Sequence, residues 1–370
     1  MAALRDEKKI KVCMVVPQGD VRGGIAAVVN GYRGSRLERD CAVRYVESYC
    51  DGGKGKKLRK ALAAYRTFAA LLRAERPDVV HIHSSFGPSF YRKLPFILMS
   101  ARAGVPVVNH IHGAEFGPFY ENASARKRAL VRRVYGRCAR FIVLSEEWRE
   151  KIAQIVPRER IDVVENYSVP AVTEPTEQSR RSRQVLFLGE IGRRKGGFDL
   201  PDIALRIRER VPQARFVIAG DGERNAVEAL FEEAGLAQAA SFPGWLRGAD
   251  KERALRESAL FLLPSYNEGM PMAVLDAMGY ALPVVSTEVG GIPQLVRDGQ
   301  NGALRRPGDT AALAEAAADF LLDEKKREAA GMASLAIVRE RFGLERHLDL
   351  LEETYRRAMK AAPRPVSAER

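Results

Sequence analysis

Short apolar runs alternate with longer amphipathic stretches along most of the chain. Ile10–Val16 (IKVCMVV) is a continuous apolar run and predicts a buried strand. The loop after it holds Gly23-Gly24, and a helix follows from about Ile25. Leu58–Ala74 reads as a helix leading into a second strand, Asp78–His83; Val105–His112 and Arg140–Leu144 predict a third and a fourth. Strands spaced by helices imply βαβ units and a parallel sheet. The pattern breaks at 169–183 (VPAVTEPTEQSRRSR), which is polar, carries two prolines and has no period. It reads as an interdomain linker. Alternation then resumes with strands Gln184–Leu188, Ala214–Ala219, Leu260–Leu263 and Pro283–Ser286, and helices Ala311–Leu322 and Leu344–Met359. The expected fold is α/β, with Rossmann-like doubly wound domains at 1–168 and 184–343 and helix 344–370 packing back toward the first. Two such domains facing each other across a cleft would place ligands at the C-terminal edges of their sheets.

Length agrees with two domains, since 370 residues exceed one ordinary core. A composition of 46% hydrophobic and 29% charged residues is globular. The longest uncharged stretch, Val79–Tyr91, has 13 residues, short of the ~20 a spanning helix needs. The start, MAALRDEKKI, lacks the apolar core of a signal peptide, which predicts a cytoplasmic protein. Cys13, Cys41, Cys50 and Cys138 form no C-x-x-C pair and read as free thiols. Charge changes the picture more. Of the net +13, residues 1–167 carry +14 and residues 168–370 carry −1. A basic first half suits nucleic acid, an anionic membrane or a phosphorylated substrate, and charge alone does not choose among them. No nucleic-acid-binding motif accompanies it, so nucleic acid is not the expected partner. The stretch Arg126–Arg140 holds seven cations and no acid. Ala129, Leu130, Val134 and Cys138 can face a core at helical spacing, leaving the cations as a solvated face or as a contact for anionic lipid head groups.

Two segments carry candidate chemistry. In Asn267–Pro283 (NEGMPMAVLDAMGYALP) a helix begins near Pro271, where a missing N–H costs nothing. Its free N–H groups and dipole suit a diphosphate, and Gly269 allows close approach. Glu268 and Asp276 lie about two turns apart on a similar side and suit sugar and ribose hydroxyls. An ordinary strand–turn–helix with solvated acids fits the same residues. In Leu186–Gly197 (LFLGEIGRRKGG) a strand enters a glycine-rich loop with Arg193, Arg194 and Lys195, cations placed to meet a phosphate leaving group. A solvated basic loop is the plainer alternative. His81 with His83, and His110 with His112, alternate on their strands, so each pair shares a face. A zinc site with Glu115 and Glu121 is imaginable. Strand-end histidines lining a cleft are preferred, with His112 the functional one and no metal assigned.

Together these segments resemble family 4 retaining glycosyltransferases (glycosyl transferases group 1), which have the GT-B fold. Glu268 to Asp276 has the spacing of that family's E-x7-E motif. Gly23-Gly24, VVNHIHGAEF (107–116), AGDGE (219–223), FPGW (242–245) and VGGIPQLVRDGQNG (289–302) agree in order. The resemblance implies transfer of a sugar from a nucleotide sugar to a glycan or lipid-linked acceptor, with the nucleotide sugar as substrate and no cofactor or metal. It implies that Lys195 neutralises the diphosphate, Glu268 holds sugar hydroxyls and Asp276 the ribose. Gly269 and Met270 would offer N–H groups, and the backbone around Gly244 and Trp245 would meet the base. His112 would contact the donor sugar and Gly24, beside Gly23, would close over the phosphates. The second acid is aspartate where the family usually has glutamate, and Glu190 stands at a usual arginine. The phosphate role of that arginine is therefore expected of Arg193 or Arg194. A UDP-sugar is favoured over a GDP-sugar. Acceptor synthesis at a membrane, bound through the basic half, implies a peripheral enzyme at the inner face of the cell membrane. Rival readings are a phosphorylase or epimerase of the same fold, a silent sugar-nucleotide-binding protein and a nucleic-acid-binding protein.

Overall fold

The computed structural model describes residues 9–113 and 115–361. The chain divides into two compact units, Met1–Glu165 with His347–Arg370, and Asn166–Arg346. Among the described residues each unit holds one six-stranded sheet, and every pairing in both is parallel.

In the first unit the strands are β1 (Ile10–Pro17), β2 (Cys41–Tyr49), β3 (Val79–Ser84), β4 (Val107–Ile111), β5 (Arg140–Val143) and β6 (Ile161–Val163). Their order is β2-β1-β3-β4-β5-β6, so direction of travel reverses between β1 and β3. Alternation along β3 and β4 gives the sheet two unlike faces. Val80, Ile82, Val107 and Ile111 join a core with Phe68, Phe90, Phe96, Phe141 and Trp148. His81, His83, His110 and His112 point to the other face, where helix Leu344–Ala361 contributes Tyr355 and His347. Tyr355 Oη lies 2.8 Å from His81 Nδ1, and His347 Nε2 lies 2.7 Å from Tyr32 Oη. Arg357 reaches Asp162 of β6 at 2.9 Å, where Arg140 of β5 also pairs.

The second unit contains β7 (Gln184–Leu188), β8 (Arg215–Ala219), β9 (Ala240–Ser241), β10 (Leu260–Leu263), β11 (Val284–Thr287) and β12 (Gly302–Arg305). The order β12-β11-β10-β7-β8-β9 sets β7 beside β10, and the reversal falls between them. The loops leaving these two strands meet at their carboxyl ends, where Tyr266 N–H bonds Arg194 O at 2.8 Å.

Several elements differ from the sequence reading. β2 was not expected because it is an edge strand with Arg44 and Glu47 on partly exposed positions, so it lacks a continuous apolar run. Pro88–Arg102 is a helix despite Pro88 and Pro95; the first stands in its first turn, where proline is tolerated. Residues 169–183 are packed onto the second unit. Ala171 N–H bonds Gly279 O at 3.0 Å, Thr176 Oγ1 donates to Arg256 O at 2.6 Å, and Thr176 caps a short helix, Glu177–Arg181. A single turn of five residues is too short to show a period.

All five histidines of the chain share the same layer of the first unit. Burial pushes each ring's pKa down, to about 4 for His347, and the neighbouring imidazoles add to the effect for His81, His83 and His110. Below about pH 6.5 the unfolded chain takes up protons that these folded rings refuse, so stability is present above that pH and lost beneath it. The urea midpoint of the first unit should fall between pH 7.5 and pH 5.5, and His347→Gln should flatten that dependence. A midpoint constant across the window would show that the layer is not held neutral.

Candidate functional site

The site of the second unit lies at the reversal between β7 and β10. The loop after β7 forms a short turn, Arg193–Lys195, closed by Gly196 in left-handed conformation (φ 69°). A Cβ on Gly196 would lie 2.1 Å from Pro264 O, so only glycine lets this loop meet the end of β10. That approach brings Lys195 Nζ to 2.6 Å from Glu268 Oε1, which also accepts from Ser265 Oγ at 2.8 Å. The Lys195 and Glu268 side chains are only 12% and 7% exposed. Arg194 bonds Asn267 O at 3.2 Å, lies 3.7 Å from Glu268 Oε2 and pairs with Glu190 at 3.3 Å. Arg193 is exposed and stacks its guanidinium over Phe198. Of the two arginines, Arg194 is thus the one beside the lysine–glutamate pair.

Helix Met272–Gly279 starts just beyond, with Pro271 as its N-cap. Gly269 and Met270 form the approach to it; Met270 O accepts from Asn166 Nδ2 at 2.8 Å, and Gly269 O accepts from Gly291 N at 2.6 Å. Asp276 sits in the helix's second turn and bonds Lys251 Nζ at 2.5 Å. The two carboxylates expected to work together therefore each have a lysine of their own. Ser286 and Thr287 of β11 donate to Leu263 O and Ser265 O, fastening the end of β10 from its other side. The segment holding Gly244 and half-buried Trp245 leads into the helix carrying Lys251. Ser265 and Lys251 were missed in the sequence because nothing in spacing pairs them with acids 3 and 25 residues away.

In the first unit, Gly23 (φ 143°) caps helix Gly24–Tyr32 just after β1. His112 follows the end of β4, its backbone N–H bonded to Ser84 O and its Nε2 2.9 Å from His83 Nδ1. Burial depresses its pKa, so the ring is neutral. His81, His83 and His110 offer ring nitrogens within 4.8 Å of one another, and neither Glu115 nor Glu121 belongs to that group.

Two Rossmann-like units, one with a lysine–carboxylate pair at its strand reversal, define the structural class. Residues 1–167 match the family described as Glycosyl transferase 4-like domain, and residues 182–323 match Glycosyl transferases group 1. The 2-deoxystreptamine N-acetyl-D-glucosaminyltransferase of Streptomyces fradiae is 29% identical over 77% of this chain and 72% of its own length. The enzyme of the same description from Niallia circulans is 28% identical, and the match spans 43% of this chain but only 41% of that relative. The crystal structure of Anabaena Alr3699/HepE in complex with UDP superposes with a TM-score of 0.71 at 18% identity, covering 93% of this chain and 99% of that one. The chain belongs to the family 4 glycosyltransferases of GT-B fold.

The glycine pair 290–291 is a direct test of how the site is held. A Cβ on Gly290 (φ 55°) would lie 1.9 Å from Glu268 O. Gly290→Ala should destabilise the second unit by ~3 kcal/mol, from overpacking and left-handed strain together. Denaturant titration checks this; an unchanged midpoint would contradict the close backbone approach.

Proposed function

We propose that this glycosyltransferase is a retaining, metal-independent hexosyltransferase that moves a sugar from a nucleotide sugar to a glycan or lipid-linked acceptor. We place it in cell-surface polysaccharide or glycolipid synthesis, in the cytoplasm and peripherally at the inner face of the cell membrane. The carrying observation is the Lys195–Glu268 pair at the β7/β10 reversal. A UDP-sugar is the favoured donor, in keeping with the UDP bound in the Anabaena complex.

Breaking the bond between the sugar's anomeric carbon and the diphosphate leaves an electron pair on a phosphate oxygen. Positive charge builds on the sugar at the same time. Lys195, Arg194 and the free N–H groups of the helix after Pro271 are fixed charges and dipoles for that leaving group. They are held before reaction, so little reorganisation is needed. The acceptor oxygen attacks on the face the diphosphate leaves, and its proton passes to the departing phosphate. No carboxylate nucleophile is required, unlike in a retaining glycosidase. Glu268, oriented by Ser265, takes the sugar hydroxyls; Asp276, beside Lys251, takes the ribose. Gly269, Met270, Gly244 and Trp245 keep the backbone roles the resemblance assigns, as do Gly23, Gly24 and His112 in the first unit.

A thermal-shift panel of nucleotides and nucleotide sugars tests the donor, because a ligand bound only by the folded state raises the melting temperature. Lys195→Ala should lower kcat/KM by roughly 100- to 1,000-fold, the loss of one preorganised charge at the leaving group. Near-normal turnover would remove Lys195 from the mechanism. Activity should persist in EDTA; full loss rescued by one divalent ion would refute metal independence.

Glu268→Gln should impair transfer more than affinity for free UDP, and Asp276→Asn should do the reverse. Calorimetry with UDP on both variants decides, and the two roles are wrong if Glu268→Gln alone abolishes nucleotide binding.

A further inference from the structure

Three α-helices of the first unit contain no acidic residue. Lys54–Ala74, Pro88–Arg102 and Ala125–Tyr135 have 21, 15 and 11 residues, with seven, three and five Lys or Arg and not one Asp or Glu. They are the crossovers from β2 to β3, β3 to β4 and β4 to β5, which all advance in one direction across the sheet from its β2 edge. Right-handed connections therefore set all three on the same face, and neighbouring members touch. The sequence showed the basic run of the third helix; only the fold lays it beside the other two.

The surface of this face is not uniformly polar. Leu58 is 61% exposed, Leu62 48%, Tyr91 50% and Leu130 38%. Leu58 and Leu62 are one turn apart, away from the stripe of Ala61, Ala64, Phe68 and Leu72 that the same helix buries. Exposed cations flank them at Lys54, Lys56 and Arg59, and at Arg126 and Arg133 on the third helix. Among the described residues the ion pair of Lys60 with Glu47, at 2.9 Å, is the one these helices make. Lys93 is buried and bonds Ser48 Oγ at 2.7 Å, so it does not add to the surface.

In water such a face carries two penalties. Like charges repel along and between the helices, and exposed leucines gain nothing. An anionic lipid interface relieves both, since apolar side chains enter the boundary of head groups and acyl chains while cations meet lipid phosphates. Single-stranded nucleic acid would neutralise the charge but leave the leucines without a partner, because it binds through stacking aromatics. We propose that this acid-free three-helix face is the membrane-docking surface of the protein. Leu58, Leu62, Tyr91 and Leu130 insert shallowly, and the surrounding cations select anionic lipid. The inference rests on the membrane location proposed above and supplies its geometry.

The test is co-sedimentation of the full chain with phosphatidylglycerol-containing and pure phosphatidylcholine vesicles, with salt titration. The wild type should bind the anionic vesicles and retain a fraction at high salt, because the apolar contact is not screened. Leu58→Gln/Leu62→Gln/Tyr91→Gln should remove the salt-resistant fraction and weaken binding at least ten-fold. Lys56→Glu/Arg59→Glu/Arg126→Glu/Arg133→Glu should abolish the preference for anionic lipid. Arg208→Glu/Arg210→Glu, in the second unit, should bind as wild type. Melting temperature and the UDP-induced shift, measured on each variant, establish folding and keep the enzyme reading separate. A folded wild type that ignores anionic vesicles overturns the proposal. So does an apolar variant that binds like wild type, or wild-type protein retarded by RNA at salt where vesicles no longer bind. A chain that binds vesicles but transfers no sugar would instead refute the catalytic reading and leave the docking face standing.

Discussion

A lysine and a glutamate 73 residues apart meet at 2.6 Å with little solvent around them, and the second unit is built to make that meeting possible. Two opposite charges taken out of water gain from each other only where geometry is good and the remaining lone pairs are bonded. Ser265 supplies one of those bonds to Glu268, and Arg194 supplies further positive charge. Everything behind the pair serves to fix it. β7 and β10 are neighbours because strand order reverses between them. Gly196 allows one loop to reach the other's backbone, and Gly290 and Gly291 press the loop after β11 against Glu268 and Gly269. Such a pair is also a charge store.

The first unit solves a different problem. Its polar layer has no net charge to store. Five imidazoles and two tyrosines pack together where the sheet meets the C-terminal helix, bonded largely ring to ring, with His347 Nδ1 also 2.7 Å from Glu165 O. Neutrality is the condition of that packing, because any proton added there would be buried beside others. The C-terminal helix is consequently part of the layer and not an appendage. Tyr355 and His347 close its bonds, and Leu348, Leu351 and Ala358 are buried with them. His112 stands at the end of this array, its orientation set by His83.

Charge is thus partitioned by depth and by face as well as by domain. The positive excess of residues 1–167 does not collect near the histidines. It lies on the opposite side of the same sheet, on helices free of acids. One face of this α/β unit is closed by a polar layer, and the other presents cations and leucines.

Much of this was legible in the chain. Continuous apolar runs gave the central strands, because a strand buried on both faces must be apolar throughout. The strand–helix alternation gave parallel sheets in two units, and glycine-rich turns marked the two loops that bring Lys195 and Glu268 together. Spacing even placed His81 with His83, and His110 with His112, on common faces. What the sequence left undetermined shares one cause. Edge strands such as β2, the seating of 169–183, the assignment of Lys251 to Asp276 and of Tyr355 to His81, and the union of three basic helices all depend on which distant segments become neighbours. Local periodicity records whether a residue is buried, but not by what. That choice is made when strand order and crossover hand bring segments tens to hundreds of residues apart into contact, and only the tertiary structure contains it.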